Sequence, residues 1–430
     1  MPGAVMRDYR GEHAIVLGGR TVSDGKCDVH LDDTFLLISG ARTNRIGYEQ
    51  VESIRQVGRS VEIQLHPDGR VHLGGMDGAL VRPLFLHLSR LRGLRWATLL
   101  RFFEGEPLDA LECTVQRDEG PPQEALVRLY RTGLVGMPYG GEPFQLGIHE
   151  LQKVAVSPDY RLVCATPETT AVLFGCEPGD LGRFHRAIEG ARQAAEKETA
   201  ALLEELFPAL EYASLVALTG LLLRGRAASK AELEAAVPWI WGRIEERIRS
   251  NASTGRSYAY LRERAGNDMW FGLRRLTEAE MREAEGSTEE MPAEAPIIPE
   301  PGSAAAEARK DYLFWFMAGL KASGKRFLAM EVVAGTKGFA TYVYRCPEVG
   351  EDSAVFADTA RVVSRSMVAL NFHREPIYAA QEDIDAGRFA EYKLAVRKLP
   401  YLRAVRERFV GRAIHTTPEA WQRNLEGLLV

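Results

Sequence analysis

Ile46-Gly47-Tyr48 opens a stretch that runs through Val51, Ile54, Val61, Ile63, Val71 and Leu73 into Pro83-Leu84-Phe85. Leu146-Gly147-Ile148 opens another, through Leu151, Val154, Leu162, Val163, Val172 and Leu173 into Phe184-His185. The two lie one hundred residues apart and align without a gap, Gly47 on Gly147, Gly75 on Gly175, Leu84 on Phe184 and Leu88 on Ile188. A repeat this long is a duplicated domain rather than a solenoid module.

Outward from the first copy, His13–Leu17, Cys27–Leu31 and Phe35–Ser39 read as short strands broken by Gly18-Gly19, Asp32-Asp33 and Gly40. Ser60–Leu65 alternates, and Pro67-Asp68-Gly69 reads as a turn before Val71-His72-Leu73, with glycine supplying a positive φ. The period then changes: Leu80, Leu84, Leu88 and Leu91 share a helical face, with Arg82, Arg90, Arg92 and Arg95 between them. The second copy repeats strands, hairpin and helix. Its stretch from Gly133 to Gly147, rich in glycine and proline, reads as a long hairpin loop. A phosphate cradle is the competing reading, disfavoured because no helix N-terminus follows. Asp180 is the expected cap of the second helix.

Strands, a hairpin and one C-terminal helix, twice over residues 10–105 and 108–207, resemble the pleckstrin-homology-like superfamily. The resemblance implies a bent seven-stranded sandwich plugged by its helix, a docking role for proteins, peptides or lipid headgroups, and no catalytic centre. Phosphoinositide-binding members cluster basic residues around their first hairpin; only Arg42 and Arg45, or Arg128 and Arg131, stand near such places here. A phosphoinositide or membrane surface therefore ranks below a protein or peptide partner.

Beyond the pair, residues 209–285 read as a helical domain. Ser229 and Glu232 are a capping-box pair and Pro238 a kink or restart. A third helix is expected from Tyr258 through Leu273. This segment could also support homo-oligomerisation. Leu276–Glu300 holds eight glutamates against one arginine, and residues 286–303 read as an acidic, proline-rich linker. Residues 304–430 read as a small α+β or α/β domain. Its elements include a buried helix at Tyr312–Met317, a hairpin of Phe327–Val333 with Phe339–Tyr344, a helix over about 354–372, a strand at Pro376–Tyr378, one helix over Tyr392–Phe409, a strand at Val410–His415, and a final helix capped by Thr417. The expected fold class is multidomain α+β.

Composition bounds the function classes. A net charge of −5 argues against a generic nucleic-acid coat. Five scattered cysteines without a Cys-x-x-Cys pair, and no apolar leader or spanning run, point to a reduced, cytoplasmic setting. No hydrolase, metal or dinucleotide motif stands up, so no cofactor or metal is expected. Gly319–Arg326 nearly fits a phosphate-binding loop, but arginine occupies the Ser/Thr position, and a plain loop is the preferred reading.

Two constellations remain. His373, Arg374 and Glu375 could do acid–base work, against the simpler reading of a helix C-terminus. Lys393–Arg412 carries seven basic residues against one glutamate; Arg397, Lys398, Arg403, Arg406, Arg408 and Arg412 are the candidate binding residues. Their partner would be an acidic protein, nucleic acid, or the glutamate-rich linker. The leading expectation is a non-catalytic adaptor. A nucleic-acid-associated factor comes second, and an enzyme sited in the C-terminal domain third.

Overall fold

The computed structural model describes residues 9–103, 105–250, 254–276, 312–334 and 337–430. The fold is mixed α+β: two seven-stranded antiparallel sheets, a six-stranded sheet, and helices. The chain divides into two compact units. One runs to Arg192 and also includes Ala390–Lys398; the other holds Gln193–Phe389 and Leu399–Val430.

Within the first unit, the first module comprises β1 (Tyr9–Leu17), β2 (Arg20–Leu31), β3 (Phe35–Ser39), β4 (Thr43–Gly47), β5 (Val51–Val57), β6 (Ser60–Leu65), β7 (Gly69–Gly74) and helix α1 (Gly78–Leu99). The second comprises β8 (Asp109–Arg117), β9 (Gln123–Tyr130), β10 (Gly133–Pro138), β11 (Phe144–Gly147), β12 (Lys153–Val156), β13 (Leu162–Ala165), β14 (Thr170–Phe174) and helix α2 (Pro178–Leu206). Strand order is β4-β3-β2-β1-β7-β6-β5 in one and β11-β10-β9-β8-β14-β13-β12 in the other, the same path twice. Gly75 (φ +63°) and Gly175 (φ +74°) occupy the same left-handed bend before each helix. Alternation along β6 and β7 sends Val61, Ile63, Val71 and Leu73 inward against Leu84 and Leu88 of α1.

Four local readings change. Gly133, Gly136 and Gly147 sit in a strand pair, and only the short turn between the strands, with Gly140 and Gly141, is loop. β10 is buried throughout, and a Cβ at Gly136 would fall 2.2 Å from the Phe144 ring, so glycine there admits an aromatic neighbour. Gly69 starts β7 and does not supply a positive φ; a Cβ there would meet Leu17 at 2.8 Å. The inner face of α1 is Val81, Leu84, Phe85, Leu88, Arg92 and Trp96, while Leu80 is exposed. Asp180 lies inside the first turn of α2, which begins earlier at Pro178.

In the second unit, α3 (Tyr212–Leu222), α4 (Lys230–Ala236), α5 (Ile240–Arg249) and α6 (Gly255–Ala265) accompany a sheet of β15 (Ala228–Ser229, between α3 and α4), β16 (Met269–Arg275), β17 (Tyr312–Ala322), β18 (Lys325–Ala334), β19 (Lys337–Arg345) and β20 (Phe409–Ile414) in that spatial order. Ser229 and Glu232 form the capping box, the chain restarts at Ile240 after Pro238, and the Thr417 side chain caps Pro418–Leu428. The third helix stops at Ala265. Met269–Arg275 is instead a strand that pairs with β17, so segments 209–285 and 304–430 share one sheet. Tyr312–Met317 is a strand too, buried along its length. A strand covered on both faces loses its alternation and reads like a buried helix.

Gly319–Arg326 forms a hairpin across Ser323-Gly324, both at positive φ as a tight hairpin turn requires. Pro376–Tyr378 belongs to a short helix, Glu375–Tyr378. The helix expected over Tyr392–Phe409 is two, Lys393–Lys398 and Pro400–Arg408, because proline drives Leu399 to extended backbone. The acidic linker expected over residues 286–303 lies outside the described residues.

Candidate functional site

The turn Tyr48–Gln50 leads into β5, the outer strand of its sheet. Pairing of β5 with β6 slips between Val51 and Ser53. A bulge on an edge strand turns backbone groups away from the ladder. Side chains take up these carbonyls. Trp96 Nε1 donates to Tyr48 O at 2.8 Å, Arg92 Nε to Val51 O at 2.8 Å, and Arg92 Nη2 to Glu52 O. Arg92 Nη1 reaches Gly141 O of the second module at 2.7 Å. Gly140, at φ +81°, lets that loop approach: a Cβ there would lie 2.6 Å from Ile54 O.

Arg92 is only 1% exposed, its guanidinium 4.1 Å over the Trp96 ring. Burial lowers its pKa to about 10, against the pull of Glu142 and Glu52, so it stays cationic near neutrality. A buried charge persists only when its donors are satisfied, and three carbonyls supply that here.

Above this joint sits a carboxylate cradle. Glu52 accepts from Arg397 at 2.9 Å and Lys398 at 2.6 Å, and Glu142 lies 2.8 Å from Lys398. Arg397 Nη2 also donates to Glu49 O at 3.3 Å, and the Lys398 ammonium is 5.2 Å from the Trp96 ring centre. Earlier in the same segment, the Arg101 guanidinium lies 4.9 Å over Tyr392, and Leu394 and Ala395 are buried. Burial would raise the Glu52 pKa, but the Lys398 hydrogen bond and Arg397 outweigh it and hold the carboxyl below its ordinary value. Burial, with Arg397 nearby, lowers His66. Its 3.7 Å approach to Glu52 is therefore that of a largely neutral ring near pH 7.

The structure divides the six basic residues. Arg397 and Lys398 belong to the first unit, Arg403, Arg406, Arg408 and Arg412 to the second. Arg406 Nη1 donates to Pro376 O at 2.6 Å, and burial lowers its pKa. Arg408 pairs with Asp358 at 3.4 Å, and Arg412 lies 4.3 Å over the Tyr378 ring. Arg403 and Arg412 are exposed.

His373-Arg374-Glu375 follows a helix terminator. Asn371 and Phe372 take positive φ, with Asn371 N–H donating to Val368 O and Phe372 N–H to Met367 O. Arg374 lies over the Tyr342 ring at 5.7 Å, and Glu375 Oε2 is buried without a partner among the described residues.

Sequence reading missed Glu52, Glu142 and Arg92. Only Arg92 left a signal: Leu84, Leu88, Arg92 and Trp96 repeat at every fourth position. It also missed a buried carboxylate in the second unit. Glu331 accepts from Thr341 at 2.6 Å and Ser257 at 2.9 Å, with His415 at 3.3 Å; Trp421 donates to Thr341 at 2.8 Å. These bonds tie α6, β18, β19 and the last helix into one polar core.

Among the described residues no helix is long and apolar enough to cross a membrane. The chain matches no protein-family model, and no curated protein matches it.

Proposed function

We propose that the chain is a non-catalytic adaptor of the cytoplasm. In this reading its two seven-stranded modules are pleckstrin-homology-like domains that dock a protein or peptide partner. The identical strand order, with a helix following at the same offset, supports the domain assignment. One observation carries the docking role: Ala390–Lys398, from the far end of the sequence, clusters with the two modules and is gripped by Glu52 and Glu142. A scaffold that holds a short helical segment by side-chain charge and a turn carbonyl has the chemistry of a peptide receptor. Five free cysteines fit the proposed compartment.

The test is quantitative affinity capture from native cytosol with the full chain as bait. A defined protein should be retained in proportion to bait and displaced by excess untagged chain. Retention no better than with heat-denatured bait would end the adaptor reading.

A further inference from the structure

We propose that the Glu52 cradle is a docking site for an external basic peptide: a helical turn carrying an aromatic and a leucine, followed by adjacent arginine and lysine. Tyr392–Lys398 is that ligand's internal stand-in. This deepens the adaptor reading and rests on it.

The occupant's chemistry is set by what holds it. Glu52 takes one basic residue on each carboxylate oxygen, Glu142 takes the lysine again, and the Glu49 carbonyl takes the arginine. The Trp96 face lies beside the ammonium. Two carboxylates at one mouth repel phosphate, so the cradle disfavours nucleic acid and anionic lipid. The holding groups stay within reach of solvent: the Glu142 side chain is 59% exposed and that of Arg397 26%. The residues flanking the segment, to Phe389 and from Leu399, cluster with the other unit, so the grip is confined to this short piece. A ligand supplied in trans then competes for the same carboxylates.

The probe is a fluorescein-labelled peptide of residues 388–400, titrated against the full chain by anisotropy. Removing the internal occupant with Arg397→Ala plus Lys398→Ala should tighten peptide binding about tenfold, since the free site is no longer mostly filled. Adding Glu52→Lys to that variant should abolish binding, and a peptide with both basic residues replaced by glutamate should not bind. Circular dichroism verifies that each variant is folded. The wild-type chain gives a second readout that needs no variant: saturating peptide should speed amide hydrogen exchange at 393–398. Unchanged affinity on removing the occupant, retention of peptide after Glu52→Lys, or unaltered exchange overturns the proposal. Capture of a protein partner that survives Glu52→Lys would overturn the basic-peptide site and leave the adaptor reading standing. Loss of all capture, with peptide still bound, would do the reverse.

Discussion

The two modules follow one path, yet equivalent positions do opposite things. Arg92 and Arg192 sit one hundred residues apart in matching helices. Arg92 is buried and donates to three carbonyls, whereas Arg192 is half-buried and pairs with Glu189 of its own helix at 3.3 Å. Trp96 stands where the second helix has Glu196, and Glu52 where the second module has Gln152. The duplicated scaffold therefore preserves the path of the chain, while a few differences on one edge strand and one helix face of the first copy build the cradle, which Glu142 of the second copy completes.

The sharpest way to break that contrast is to remove both arginines in turn. Arg92→Met leaves the Val51, Glu52 and Gly141 carbonyls without their donor, and should cost about 3–5 kcal/mol in denaturant unfolding. Arg192→Met should fall within about 0.5 kcal/mol of wild type. Equal costs would mean that the helices are interchangeable and Arg92 is no joint.

Next in size is the loop that Arg92 caps. Gly140→Ala forces a side chain into left-handed backbone and against Ile54 O, and should cost about 2–3 kcal/mol. Gly58→Ala, at φ +57° with open space around it, should cost only about 1 kcal/mol. Thermal unfolding of the two variants separates backbone strain from the close approach between modules.

Glu52 adds a pH signature that Gln152 cannot have. The folded chain holds its carboxyl below the unfolded value of about 4.3. The stabilisation is thus complete above that value and is lost as pH falls through the lower folded pKa. Glu52→Gln should cost about 1 kcal/mol at pH 7 and nothing in strong acid. Unfolding free energies of variant and wild type, measured from pH 7 to pH 2, should converge. Parallel curves would show that Glu52 gains nothing from Lys398 and Arg397.

Much of the architecture was legible because duplication is a global signal. Gly75 and Gly175, the alternation along β6 and β13, and the switch to helical period all survive in the residues. Locally the reading failed where burial erased periodicity. β17 is covered on both faces and read as a helix, and Gly136 read as a turn because its role, clearing space for Phe144, lies eight positions away. The cradle was half legible: Arg397 and Lys398 stood out as charge, but Glu52 is one glutamate among many until the bulge at Val51 turns it toward them. A basic run declares its sign in the sequence. The carboxylates that receive it sit more than 250 and 340 positions upstream and declare nothing.

Lys398 gives the smallest effect and the finest resolution of the comparison. Its pair with Glu142 faces solvent on the carboxylate side, so water and salt screen it, whereas its pair with Glu52 is the more sheltered. Glu142→Gln should therefore cost a few tenths of a kcal/mol at low ionic strength, and the difference should vanish in about 1 M salt, where the screening length is about 3 Å. Lys398→Ala loses both pairs and the Trp96 contact, and should keep part of its cost, about 0.5 kcal/mol, at the same salt. If salt erased both differences alike, Glu52 would be no better shielded than an ordinary surface carboxylate. The distinction between Glu52 in the first module and Gln152 in the second would then reduce to surface charge.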